Sequence, residues 1–239
     1  MKGATLVEYD AAKLANLPQF VGESNDESGR LVKRYTVVTF DGFEVYGPAD
    51  VTFVHADTFE FSVSAAEHDH QHIEVRRLGE LIRIEWHEGF FGFRNPDQPL
   101  AFSFSGPVFN EIRIAEEVTA RGDTVDVDWM RIFVEKQSSL ELSNLVTMSL
   151  KVKLGQGSQA SISGTTDRLS VQADDESSFD GSGLSAKTAQ VKARKGASVS
   201  VRAEHELEAT AENTATIVYL DIPEKLKTNV ETGGAINPG

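Results

Sequence analysis

The sequence predicts an all-β chain that winds as a right-handed parallel β-helix, a solenoid with an irregular, strand-rich N-terminal part, and three observations predict it. The first is a column of apolar residues, Leu140, Ala160, Phe179, Val199 and Ile217, spaced by 20, 19, 20 and 18 residues. The second is a parallel column at Leu150, Leu169, Ala189, Leu207 and Leu226, with Val152, Val171, Val191, Ala209 and Thr228 two residues on. The third is the local period: apolar residues recur at i and i+2, as in strands, rather than at i+3 and i+4 as helices require. Each repeat then holds two short strands, which cannot bury an apolar face alone and gain a core only by stacking on the next coil.

Taken in order, residues 1–33 show no alternation and read as an extended or loosely ordered leader, with at most one short helix near Asp10 to Leu17 and a turn-prone stretch from Gly22 to Gly29. Residues 34–239 form one expected β-helical domain, with irregular coils over 34–106 and regular coils of about 20 residues over 107–239. Strand-like alternation starts at Tyr35–Phe40 and recurs at Phe43–Val45, Val51–Val54, Phe59–Val63, Ile73–Val75 and Leu81–Trp86, with Gly, Pro, Asp or His between the runs. Gly89–Pro99 is punctuated as a loop and carries Phe90, Phe91 and Phe93. Strands return at Phe102–Phe104, Ile112–Ile114, Val125–Val127, Ile132–Val134 and Leu140–Leu142 before the regular coils. Their connections, such as Gly155–Ser158, Asp174–Ser177 and Arg194–Ala197, collect small polar residues suited to tight corners. Phe179 followed by Gly181 in one inward stripe suggests volume compensation between neighbours.

Composition narrows the function. Fourteen Phe against two Trp and four Tyr point to a core of Phe and branched aliphatics, and the lack of cysteine excludes disulfides, thiolate metal sites and thiol nucleophiles. A formal charge of −14 argues against general nucleic-acid binding, which needs clustered Lys and Arg. No run reaches the roughly 18 apolar residues of a membrane-spanning helix. The first residues lack the apolar stretch of a secretory signal, so the expectation is either a cytoplasmic protein or one whose export signal has been removed.

The order of segments resembles the bacterial family called putative auto-transporter adhesin, head GIN domain. The strand pair Tyr35–Tyr46 carries the likeness first, followed by Gly47–Phe53, Ile73–Val75, Leu81–Ile84 and Ile112–Ile114. The coils from Ser138–Leu142 and the closing stretch from Tyr219–Pro223 to Gly234 complete it. The resemblance implies a β-helix, an envelope, periplasmic or extracellular location, no established catalytic residues and no cofactor. It implies an adhesin-like or structural module that presents long polar faces to a glycan, a cell-surface protein or another copy of itself. The family often has Gly in the turn after Ile114, where this chain reads Ala115-Glu116-Glu117, which puts the coil geometry there in question. A β-helical carbohydrate-active enzyme such as a polysaccharide lyase, and an intracellular polymer-forming scaffold, remain the alternatives.

Candidate sites are few. His68, His70 and His72, beside Asp69, would share one side of an extended strand and offer imidazoles to zinc, copper or nickel, with His55, His87 or Glu67 as further ligands; a solvated polar turn is the simpler reading. Lys151, Lys153, Lys192, Arg194 and Lys195, with Lys227, flank inward positions and would stack as a basic stripe for an anionic glycan, against the simpler reading of a solvated face. Arg121-Gly122-Asp123 matches an integrin-attachment tripeptide but reads first as a turn. Asp174-Asp175-Glu176 has the chemistry of a calcium site without further ligands in view. No nucleophile elbow, phosphate loop or zinc-protease helix is present, and no carboxylate pair is placed by sequence as acid and base.

Overall fold

The computed structural model describes residues 18–87, 96 and 98–239. The short helix expected at 10–17 and most of the Gly89–Pro99 loop lie outside these residues. The described chain is all β: a parallel β-solenoid of about 6 turns.

The strands in chain order are β1 Gln19–Asn25, β2 Leu31–Thr36, β3 Gly42–Tyr46, β4 Ala49–His55 and β5 Glu60–Ala65, followed by β6 Ile73–Leu78, β7 Leu81–Trp86, β8 Leu100–Gly106 and β9 Glu111–Ala115. Five long strands each run most of a coil: β10 Val118–Glu135, β11 Ser139–Leu154, β12 Gln159–Ala173, β13 Ser178–Arg194 and β14 Ser198–Glu212. The chain closes with β15 Thr216–Tyr219, β16 Lys225–Glu231 and β17 Ala235–Pro238.

Both predicted columns are the true stacking register. Leu140, Ala160, Phe179, Val199 and Ile217 pair in succession across parallel strands. So do Leu150, Leu169, Ala189, Leu207 and Leu226, and Val152, Val171, Val191, Ala209 and Thr228. The columns extend upstream through Ala120 and Val51 on one face and through Ile132, Ile112 and Phe43 on the other. Gly181 points inward beside Phe179, where a Cβ would come within 2.7 Å of the ring, so the small residue does make room for the large one.

Stacking order departs from chain order in the N-terminal half. The β3–β4 layer lies between β7–β8 and β9–β10, since β3 pairs with both β7 and β9, and β4 with both β8 and β10. Antiparallel strands then close that end: β5 on β8, β2 on β5, β1 on β2, and β6 on β7. Capping removes an open edge that would otherwise recruit further strands. Part of the expected leader is therefore strand, because β1 finds hydrogen-bonding partners along β2 and needs little burial of its own. Phe rings fill the capped half, with Phe43 stacked on Phe104 at 4.4 Å and Phe40, Phe53 and Phe109 packed around them. Leu, Val and Ala fill the regular coils, where Phe179 is the one large aromatic in the core.

One corner is built the same way on seven successive levels, from the β9–β10 connection to the β16–β17 connection. The pairs Glu116-Glu117, Lys136-Gln137, Gln156-Gly157, Asp175-Glu176, Lys195-Gly196, Asn213-Thr214 and Thr232-Gly233 all have positive φ at both residues. From Lys136-Gln137 onward the residue after each pair donates its N–H to the carbonyl of the residue before it, at 3.1–3.3 Å. Such four-residue turns have the φ signature of type I′. The second residue of each pair also donates to the carbonyl of the first residue in the next coil, as in Gln137 to Gln156 at 3.0 Å and Gly157 to Asp175 at 2.8 Å. A ladder of turns thus runs along the solenoid beside the sheets. The Ala115-Glu116-Glu117 step keeps the positive φ pair without glycine, but Val118 donates its N–H to Ser138 Oγ at 3.1 Å in place of closing the turn on Ala115.

Candidate functional site

The turn ladder makes one wall of a groove of about 470 Å³, lined by Gly47, Pro48, Trp86, Glu116, Glu117, Lys136, Gln137 and Gln156. Five layers build it. Trp86 ends β7, Gly47 and Pro48 turn the corner between β3 and β4, and the remaining residues come from successive type I′ turns. Gly47 is required there: its φ is +106, and a Cβ on it would stand 2.8 Å from Trp86 Cβ. Its N–H donates to the Ala115 carbonyl at 3.2 Å, which ties this layer to the first turn of the ladder. Trp86 is half-buried, with its ring 5.3 Å from that of His72. Lys136 Nζ meets Glu116 Oε1 at 2.6 Å, and this hydrogen bond and charge raise the lysine above its ordinary pKa. The groove therefore offers an indole, an internally neutralised ion pair, one further carboxylate and two side-chain amides.

The predicted basic stripe is broken in the folded chain. Lys151, Lys153, Lys192 and Arg194 do share a face, but Ser170, Gln172 and Gln190 stand between them in the stacking columns. Lys192 pairs with Glu212 at 2.9 Å and Lys195 with Asp175 at 2.9 Å. Arg194 bonds Asp174 through two nitrogens at 2.6 and 2.9 Å. Burial would raise the Asp174 pKa, but hydrogen bonds from Arg194 and Gln172 outweigh it and hold the carboxyl below its ordinary value. Among the described residues only Lys151 and Lys153 of the predicted five lack an ion pair, and Lys153 sits 5.9 Å from the Phe133 ring. Toward the N-terminus the same face is balanced, with Arg83 on Glu44 and both Arg113 and Arg131 on Glu111. The carboxylates of Asp174 and Asp175 are directed at Arg194 and Lys195, which removes the basis for a calcium site.

The three histidines do not converge, because His70–His72 is a short 3-10 turn and the alternation of a strand is lost. His70 Nε2 lies 2.8 Å from the Leu31 carbonyl, and burial lowers its pKa, so the ring ties the turn to β2 in the neutral form. His68 meets Asp69 at 3.3 Å, and His72 packs near Trp86. The side chains that do approach one another are Glu74, Glu85 and His87, whose ligand atoms lie within 4.8 Å. Glu74 and Glu85 face each other across β6 and β7, and His87 Nε2 is 2.6 Å from Glu74 Oε2. This is a donor set of the kind borderline divalent metals accept. His87 was among the further ligands considered; Glu74 and Glu85 could be found only through the β6–β7 register.

Arg121-Gly122-Asp123 lies inside β10, paired on both sides, and is not a turn. Glycine is needed there because a Cβ would stand 2.0 Å from the Phe53 ring. Asp123 accepts from Asn144 Nδ2 at 2.7 Å, and Arg121 lies 3.7 Å from Glu141. Sequence reasoning missed Trp86, Gln137 and Gln156 as groove residues. Nothing in their local sequence marks two exposed glutamines on consecutive turns as neighbours.

The fold recurs in solved structures. A putative adhesin from Bacteroides fragilis, 12% identical, matches with a TM-score of 0.82 over 90% of this chain and 100% of that one. A putative lipid binding protein from Parabacteroides distasonis, 16% identical, matches at 0.66 over 90% and 99%. A putative adhesin from Parabacteroides merdae, 13% identical, matches at 0.61 over 90% and 98%. No curated protein matches the chain. Residues 39–223 match the family model described as putative auto-transporter adhesin, head GIN domain, and the chain belongs to that family.

Proposed function

We propose that the chain is a non-enzymatic, adhesin-like binding module of the bacterial envelope, and that its ligand is an uncharged glycan laid along the turn ladder beside Trp86. The groove carries this reading. An indole offers an apolar face to the C–H groups of a pyranose ring, and each side-chain amide supplies two donors and one acceptor to its hydroxyls. Adjacent coils repeat at about 4.8 Å, close to the advance per sugar in an extended polysaccharide, so Gln137 and Gln156 can address successive units. The Lys136–Glu116 pair leaves little net field to attract a polyanion. An envelope location agrees with the family, and among the described residues no helix is long and apolar enough to cross a membrane.

A screen against neutral and acidic polysaccharides tests this, reading both retention and newly formed reducing ends or unsaturated products. Retention of a neutral polymer should change little with salt and fall several-fold in Gln137→Ala and Gln156→Ala, without product formation. Reproducible cleavage lost on one acidic or basic substitution would favour the lyase reading. Retention of only acidic polymers, falling steeply with salt and abolished by Lys151→Gln with Lys153→Gln, would move the site to the opposite reading of the lysine face.

A further inference from the structure

The two ends of the solenoid differ. The N-terminal end is closed by antiparallel strands, whereas among the described residues no strand pairs with the outer edge of β16 or β17. On that open end Ile222, Leu226 and Val230 are 90%, 43% and 51% exposed. The two edges are not equivalent. Ala235 and Gly239 donate their N–H groups to Ala215 and Tyr219, so alternate residues of β17, including Pro238, face outward. Proline has no N–H, and β17 is blunted as an edge. Arg131 donates its N–H back to Asn110 at 2.8 Å, and Arg131, Lys151, Ser170, Gln190, Glu208 and Lys227 stack in one parallel register. Lys227 therefore turns its backbone toward β14, and the N–H and C=O groups of Leu226, Thr228 and Val230 face the open side of β16.

We infer that β16 is an interface for a second copy of this chain, joined tail to tail by antiparallel pairing of β16 with itself about a two-fold axis at Thr228. The sequence Lys225-Leu226-Lys227-Thr228-Asn229-Val230-Glu231 is self-complementary in that register. Lys225 falls opposite Glu231 of the second copy, Leu226 opposite Val230, Lys227 opposite Asn229, and Thr228 opposite itself. The outward-facing backbones of Leu226, Thr228 and Val230 form the hydrogen-bonded pairs, as antiparallel geometry requires. Leu226, Thr228 and Val230 continue the inward columns set by Leu207, Ala209 and Ala211, so the apolar pairs extend one core into the next. Lysines on an edge usually discourage association; here each has an acidic or neutral residue opposite. A slip that centres the pairing on Lys227 would oppose that lysine to itself, and one that centres it on Asn229 would leave Lys225 and Leu226 without partners, whereas the stated register pairs every residue of β16. A two-fold contact of this kind closes on itself and yields a dimer, not a fibre.

Cysteine placement tests the axis directly, since the chain has no cysteine of its own. Thr228→Cys should form a disulfide-linked dimer under mild oxidation, because residues at a hydrogen-bonded antiparallel position have α-carbons about 5.5 Å apart, within the range a disulfide spans. Leu226→Cys should cross-link only when combined with Val230→Cys. In sedimentation, the unmodified chain should form a dimer of 26.1 kDa subunits. Lys225→Glu should weaken it by about tenfold through two like-charge pairs, and adding Glu231→Lys should restore it. Monomer at every concentration reached, a dimer indifferent to the Lys225 exchange, or failure of Thr228→Cys to cross-link would each overturn the inference.

Discussion

Gly122 and Asp26 show how single residues fix this fold by contact and by charge. Gly122 leaves room for the Phe53 ring, so Gly122→Ala should cost about 1–3 kcal/mol in chemical denaturation, the usual penalty for overpacking. Phe53→Leu combined with Gly122→Ala should recover part of that loss, whereas Arg121→Ala and Asp123→Ala should cost little. Asp26 accepts hydrogen bonds from Ser28 Oγ at 2.7 Å, Ser64 Oγ at 2.8 Å and the Arg30 N–H at 2.9 Å. These bonds, the Ser28 one foremost, lower its pKa from 3.8 to about 2. A depressed carboxyl stabilises the fold above its unfolded pKa, so the β1–β2 turn should hold at neutral pH and lose this support as pH falls from about 4 toward 2. An NMR titration of the Asp26 carboxyl, with protection of β1 amides followed in parallel, checks the window; a midpoint near 4 would contradict it. Neither role was legible beforehand. Both glycine and aspartate were read as generic turn formers, and their partners, Phe53 and Ser64, are far away in sequence.

At the scale of elements, the alternating strands and their register were legible, because inward positions must be apolar on every coil and therefore repeat in the sequence. The type I′ turns were not. Their positive-φ positions hold mostly Glu, Lys, Gln, Asp and Thr, residues that say nothing about handedness of the backbone, and three glycines only. Left-handed geometry costs a non-glycine residue roughly 1–2 kcal/mol, which stacking against neighbouring turns must offset. Thr214, β-branched with φ of 63°, bears that cost most plainly. Thr214→Gly, which creates the Asn-Gly pair favoured in such turns, should stabilise the protein by about 1 kcal/mol in denaturant unfolding, against the usual penalty for glycine in β structure. A loss of stability would show that side-chain contacts, not backbone geometry, decide this position. The histidine run failed for a related reason: alternation was assumed through His68–His72, but Asp69 accepts the His72 N–H and closes a 3-10 turn.

The whole molecule joins two cores, one of Phe under an antiparallel cap and one of stacked aliphatic columns, and the groove lies on the boundary between them. That boundary was hidden because β3–β4 is inserted between β7–β8 and β9–β10, so Gly47, Trp86 and Glu116 meet although no repeat connects them. The basic stripe, legible as a list of lysines, dissolved once register placed carboxylates beside three of its members. Trp86 and Trp129 are the two tryptophans. Fluorescence of a Trp129→Phe variant therefore reports on Trp86 alone. Titrating that variant with a neutral polysaccharide retained by the unmodified protein should give a saturable change in Trp86 emission that is insensitive to salt and weakened several-fold by Gln137→Ala. Binding of that polymer with unchanged Trp86 emission would contradict the assignment of the groove as the site.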